Sequence, residues 1–203
     1  MLRHASCHVL RHHELAEQGI HGFTQPEAAE HEKTVIGLRI CDALMECAHR
    51  KPFSEISVTD LYKEHRISRT TFYRLFDNTV DVLEYACDCM GQAILLHIPG
   101  DTPKELTIHA ITALSQEREL IGLLCRSGHL DIFQRVQEKY LPLSRLAEGM
   151  DFGFGAEYFH RLLAQLIPMA LEVWVKGGQK DSPEELYDEM CRSIQMLGMW
   201  FSE

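Results

Sequence analysis

Between Ile56 and Phe76 the chain reads ISVTDLYKEHRISRTTFYRLF, and Ser68, Arg69, Thr70, Thr71, Tyr73 and Arg74 crowd hydrogen-bond donors into its second half. Hydroxyls and guanidinium groups at that density suit a phosphate backbone and the base edges of a major groove. Phe72, Leu75 and Phe76 are spaced to turn inward, which leaves the donors in front. The flanking residues supply what must position them. Ser57 stands where an N-cap belongs, with Asp60 three residues on, near the positive end of a helix. Leu61 and Ile67 bracket a polar turn, and Ser68 offers a second N-cap. The segment therefore predicts two short helices joined by a tight turn. An ordinary helical hairpin with solvated Tyr and Arg would use the same residues.

FSEISVTDL (53–61) and ISRTTFYRLF (67–76), with an apolar helix before and after, resemble the DNA-binding region of the TetR family of bacterial transcriptional regulators. EVWVKGGQKDSPEELYDEM (172–190) is similar to the C-terminal region of many such regulators, so the resemblance spans about 32–203. It implies Ser68, Arg69, Thr70 and Thr71 as base or phosphate readers, with Tyr73 and Arg74 positioning the helix on phosphates. It also implies a homodimer whose last two helices pair with their copies in a four-helix bundle. Most such proteins repress, releasing their DNA operator when a small-molecule effector binds. Two departures stand out. Family members often carry Gly in the turn between the short helices, where this chain has His65 or Arg66. They commonly start the fourth helix with a Lys that meets phosphate, where this chain has Thr79 between Asp77 and Asp81.

Bulk properties fit one end that binds nucleic acid. The 203 residues carry a net charge of −10, which excludes a wholly basic binder. Residues 49–76 run the other way, with Arg50, Lys51, Lys63, Arg66, Arg69 and Arg74 against Glu55, Asp60 and Glu64. An acidic body with a local basic face repels DNA except at the reading head. The seven cysteines form no C-x-x-C pair and several sit at apolar helical positions, so they read as small core residues. Without a secretory h-region or an apolar run that could span a bilayer, the expected location is cytoplasmic, with reduced thiols and no membrane partner.

Periodicity predicts an all-α chain. Ile36, Ile40, Leu44 and Cys47 mark a helix over about 32–50, stopped by Pro52. Asn78 can cap a long helix ending near Pro99-Gly100, and Pro103 starts another. Further helices are expected over about 117–127, 131–148, 156–176 and 183–201, with the glycine-rich MDFGFG (150–155) as a break. The expected division is a flexible N-terminal extension (1–31), a three-helix helix-turn-helix domain (32–80) and a helical ligand-binding and dimerisation domain (81–203).

The last two helices supply the dimer candidates, Trp174, Met190, Ile194 and Leu197, because Met and Trp suit protein contact. They could equally fill an intramolecular core. His109, Cys125, His129 and Tyr140 are candidates to line an effector pocket between helices. His4, His8 and His12, with Cys7, have spacing that could chelate a metal on a helix, but a flexible extension explains them without a site, and neither metal nor cofactor is assigned. The expected function is a DNA-binding repressor, not an enzyme. A protein-binding coregulator of the same fold with weak DNA binding, and a helical metal-binding protein, are the alternatives.

Overall fold

The computed structural model describes residues 25–147 and 156–200, and the His-rich segment and the MDFGFG break lie outside them. Among the described residues are nine α-helices and no strand. In chain order they are α1 (Gln25–Ala48), α2 (Val58–Glu64), α3 (Arg69–Leu75), α4 (Thr79–His97), α5 (Pro103–Gln116), α6 (Arg118–Ser127), α7 (Leu130–Tyr140), α8 (Ala156–Lys176) and α9 (Pro183–Trp200). None of them is long and apolar enough to cross a membrane.

Local chemistry fixes most of the boundaries. Thr102 and Glu105 form a reciprocal capping box at the start of α5, with Pro103 in the first turn, where its missing N–H costs nothing. Ser182 and Glu185 repeat that exchange before α9: Glu185 N donates to Ser182 Oγ, and Ser182 N donates to the Glu185 carboxylate. Gly128 ends α6 at φ 77°, a left-handed position that suits glycine.

Two boundaries differ from the sequence expectation. The first helix begins at Gln25, earlier than residue 32, because Pro26 is compatible with an opening turn and the polar run behind it still propagates a helix. The seventh ends at Tyr140 and passes into a 3-10 turn over Leu141–Leu143, short of residue 148. Pro142 has no N–H to donate and disfavours helical backbone in the residue before it.

The core is continuous from α1 to α8. Ile40, Leu44 and Cys47 are buried on the predicted face of α1, and they meet Leu61, Phe72 and Phe76 below and Val82, Leu83 and Ala86 of α4 beside them. Farther along, α4 packs on Ile132, Phe133 and Val136 of α7. Helix α4 is thus shared by both halves, and the expected boundary at residue 80 falls in its first turn. Its contacts are close enough to require glycine. A Cβ on Gly37 of α1 would stand 2.9 Å from the Tyr85 ring, and one on Gly91 would stand 2.0 Å from Val136 Cγ1. Outside this apolar seam, Arg135 reaches Glu84 at 2.6 Å, and Lys139 and the Tyr140 hydroxyl reach Asp88 at 2.8 and 2.9 Å. These exposed pairs add little each, so the seam carries the junction. Gly91→Ala should cost about 1–3 kcal/mol by overpacking, read as a lower Tm with native helical content. An unchanged Tm would show that α4 and α7 do not approach this closely.

Candidate nucleic-acid interface

The helix-turn-helix is assembled from short-range bonds. Ser57 Oγ accepts from Asp60 N, and the Asp60 carboxylate accepts from both Ser57 N and Ser57 Oγ, a capping box that uses Asp in place of the usual Glu or Gln. Lys51, just past the end of α1, donates to the same carboxylate at 2.7 Å. The Lys51 ammonium, then the Ser57 hydroxyl and N–H, hold the Asp60 carboxyl well below the usual carboxylate range. Arg50 binds both oxygens of Glu64, at 3.0 and 2.6 Å, and lowers that carboxyl too. Two of the six cations counted in this segment therefore clamp α1 to α2.

The turn solves its missing glycine by strain. Arg66 adopts φ 54°, Arg66 N donates to Lys63 O, and Ile67 N donates back to Tyr62 O at 2.8 Å. A left-handed conformation costs an L-residue roughly 1–2 kcal/mol. Arg39 of α1 donates to the His65 carbonyl at 3.0 Å and braces the turn from behind.

Behind α3, Phe72 is fully buried and Phe76 nearly so, and the Phe76 ring meets Tyr85 of α4 edge-on at 5.5 Å. This anchors α3 directly to α4. In front, Ser68, Arg69, Thr70, Tyr73 and Arg74 are exposed. Ser68 caps α3 by accepting from Thr71 N, and the two hydroxyls lie 2.7 Å apart. Thr71 is half-buried, so its hydroxyl shapes the helix start. Arg69 lies over the Tyr73 ring at 5.5 Å, which leaves its N–H groups at the surface. Lys63, Arg66, Arg69 and Arg74 make no ion pair with the described residues. Lys63 and Arg66 were not among the sequence candidates, and their exposure beside α3 could have been foreseen from the helix-turn-helix pattern. At the start of α4, Asn78 accepts from Val80 N and Asp81 N, and Asp81 accepts from Asp77 N. Cap chemistry and two acids occupy the place of the Lys.

The other candidate residues divide differently. His109 Nδ1 lies 2.6 Å from the Pro99 carbonyl, His129 packs its ring against Phe53, the Tyr140 hydroxyl donates to Asp88, and Cys125 is half-buried, its thiol pushed up by burial. They line none of three cavities formed by described residues, and each is engaged by its own neighbours. The cavities lie between the end of α1, α6 and the turn after α8 (about 440 Å³), beside α4 and α7 (about 460 Å³), and between Gln137–Pro142 and the start of α8 (about 320 Å³).

Trp174 stands apart from the other dimer candidates: it is only 3% exposed, its Nε1 donates to Asp181 O at 3.3 Å, and it packs inside the fold. Ile194 and Leu197 are exposed and Met190 is half-buried. With Tyr158, Leu162, Met169 and Val173 of α8, and Met196, Met199 and Trp200 of α9, they leave a broad apolar surface on the last two helices. The signal was readable: α8 has apolar residues on two faces, more than one core can cover.

Nine helices with a helix-turn-helix at the front and two long helices at the end define a TetR-like fold. The crystal structure of a TetR transcriptional regulator from Streptococcus agalactiae 2603V matches 82% of this chain and 97% of that one, with a TM-score of 0.60 and 19% sequence identity. No family model and no curated protein matches the chain.

The capping box predicts an acid dependence. A carboxyl depressed in the folded state contributes stability above its unfolded pKa, about 4, and that stability is lost as pH falls through the folded value. Wild type should therefore outlast Asp60→Asn most clearly near neutrality, and the gap in Tm should close progressively below about pH 4. A gap constant across pH would show that Lys51 and Ser57 do not favour the charged form.

Proposed function

We propose that the chain is a homodimeric, cytoplasmic transcriptional regulator, not an enzyme, that binds a double-stranded DNA operator through α3 and acts as a repressor released by a small-molecule effector. One observation carries the reading. A short helix seated on Phe72 and Phe76 presents Arg69, Thr70, Tyr73 and Arg74 outward from an otherwise acidic chain. An α-helix about 10–12 Å across with its side chains fits a major groove about 12 Å wide. Arg69, Tyr73 and Arg74 are placed to hold phosphates, and Thr70 offers both a methyl and a hydroxyl to base edges. The likeness to a solved TetR regulator supports the same assignment.

A protein-binding coregulator is the second reading, favoured by Asp77 and Asp81 beside Thr79 where the family places a phosphate-binding Lys. A gel-shift selection on random duplex separates the two. For the regulator, Tyr73→Ala and Arg74→Ala should weaken binding to every sequence, while Thr70→Ala should change which sequence is preferred. Log affinity should fall with log salt at about −0.9 per neutralised phosphate. If no duplex is bound in a salt-sensitive way, the regulator reading fails.

Two half-sites one helical turn apart need two heads held at fixed spacing. The apolar surface of α8 and α9 supports two-fold pairing, with Ile194 and Leu197 at its centre and Trp174 behind it as core. A carboxylate there would be desolvated and unpaired, so Ile194→Asp should give monomers by light scattering and abolish operator binding together. A variant that stays dimeric would overturn this interface.

A further inference from the structure

The cavity of about 440 Å³ at the joint of head and body is lined by Arg118, Gly122's helix and Arg126 on one side and Met45, Ala48 and His49 on the other. Arg118, Gly122 and Arg126 follow each other at four-residue spacing and so share one face of α6. Gly122 between them is buried, and Arg126 lies back over it, its Nη1 2.7 Å from where a Cβ there would stand. Arg118 is fixed in place. Its Nη2 donates to Gln179 O at 2.6 Å, Gln179 Nε2 donates back to Arg118 O at 2.9 Å, and its guanidinium lies over the Trp174 ring at 6.0 Å. Gln179 makes this exchange from a left-handed backbone at φ 56°, a conformation that persists where its surroundings hold it. Arg126 is exposed and has no ion pair with the described residues.

We propose that this cleft binds a small organic anion bearing carboxylate or phosphate groups. Two guanidinium forks facing one cavity match planar or tetrahedral oxyanions, and the volume suits a small metabolite. In a chain of net charge −10, two guanidiniums at one cleft make a local positive site that an anion would find. The site also has a built-in link to the head. His49, just past the end of α1, places its Nε2 3.3 Å from Glu119 Oε2 of α6, across the same cleft. A bound anion stands against Glu119 and competes for His49, so its binding alters the contact between α1 and α6. That consequence names the chemistry of the effector and rests on the regulator reading; the binding itself does not.

Calorimetric titration of the full chain with citrate and with inorganic pyrophosphate, at matched ionic strength against sodium chloride, tests it and separates the two oxyanion types. At least one should saturate with a Kd below about 1 mM. Losing a charged hydrogen bond should make Arg126→Gln about tenfold weaker or worse, and Arg118→Gln should weaken binding as well. Arg126 is a surface side chain, so its variant should keep the wild-type melting curve even if Arg118→Gln folds poorly. No saturation by either anion up to about 10 mM, or saturation indifferent to Arg126→Gln, overturns the site. In a parallel gel shift on a selected duplex, the saturating anion should move the affinity of wild type and not of Arg126→Gln. An anion that binds without moving it overturns the effector role, whereas failure to bind any duplex sinks the regulator reading and leaves the anion site standing.

Discussion

The rest of the molecule depends on how closely α4 approaches two neighbours at once. Gly37 lets the Tyr85 ring lie on α1, and Gly91 lets Val136 of α7 lie on α4. Interiors this dense do not deform smoothly; they shift between packed arrangements. The same Tyr85 ring also receives Phe76, at the end of α3. Position is therefore handed from α7 through α4 to α3 by direct ring and methyl contact.

Charge is allocated in two ways within the head. Arg50 and Lys51 are committed to Glu64 and Asp60, where they hold α1 against α2. Lys63, Arg66, Arg69 and Arg74 remain at the surface. Counting residues overstates the field available to a ligand, because part of the positive charge is already neutralised by the scaffold. What remains is concentrated near α3, and the acids at the start of α4 limit its extent on that side.

How much was legible in the sequence follows from the range of the interactions. The helix-turn-helix was legible because its signals are local: Ser57 and Ser68 as caps, Leu61 and Ile67 around the turn, Phe72 and Phe76 behind the donors. The start of α1 was not, since its first residues carry no apolar period, and the end of α7 was missed by extending that period through Pro142. The burial of Trp174 was not legible because a helix with apolar residues on two faces does not announce which one is inward. The neighbours of the pocket candidates were hidden for a related reason. The role of His129 is set by Phe53, and that of Tyr140 by Asp88, 52 residues away. No spacing within one helix encodes such partners.

Arg66 has a consequence in genetic terms. It holds a left-handed backbone that glycine would adopt without a Cβ penalty, and every arginine codon lies a single base change from a glycine codon. The relaxed turn is thus within immediate mutational reach, while β-branched replacements would add strain at the same φ. Backbone ease and codon distance both point to glycine at this position. The quantity set against them is the exposed positive charge that glycine would remove, so residue 66 is a place where this chain trades turn stability against the electrostatic reach of its head.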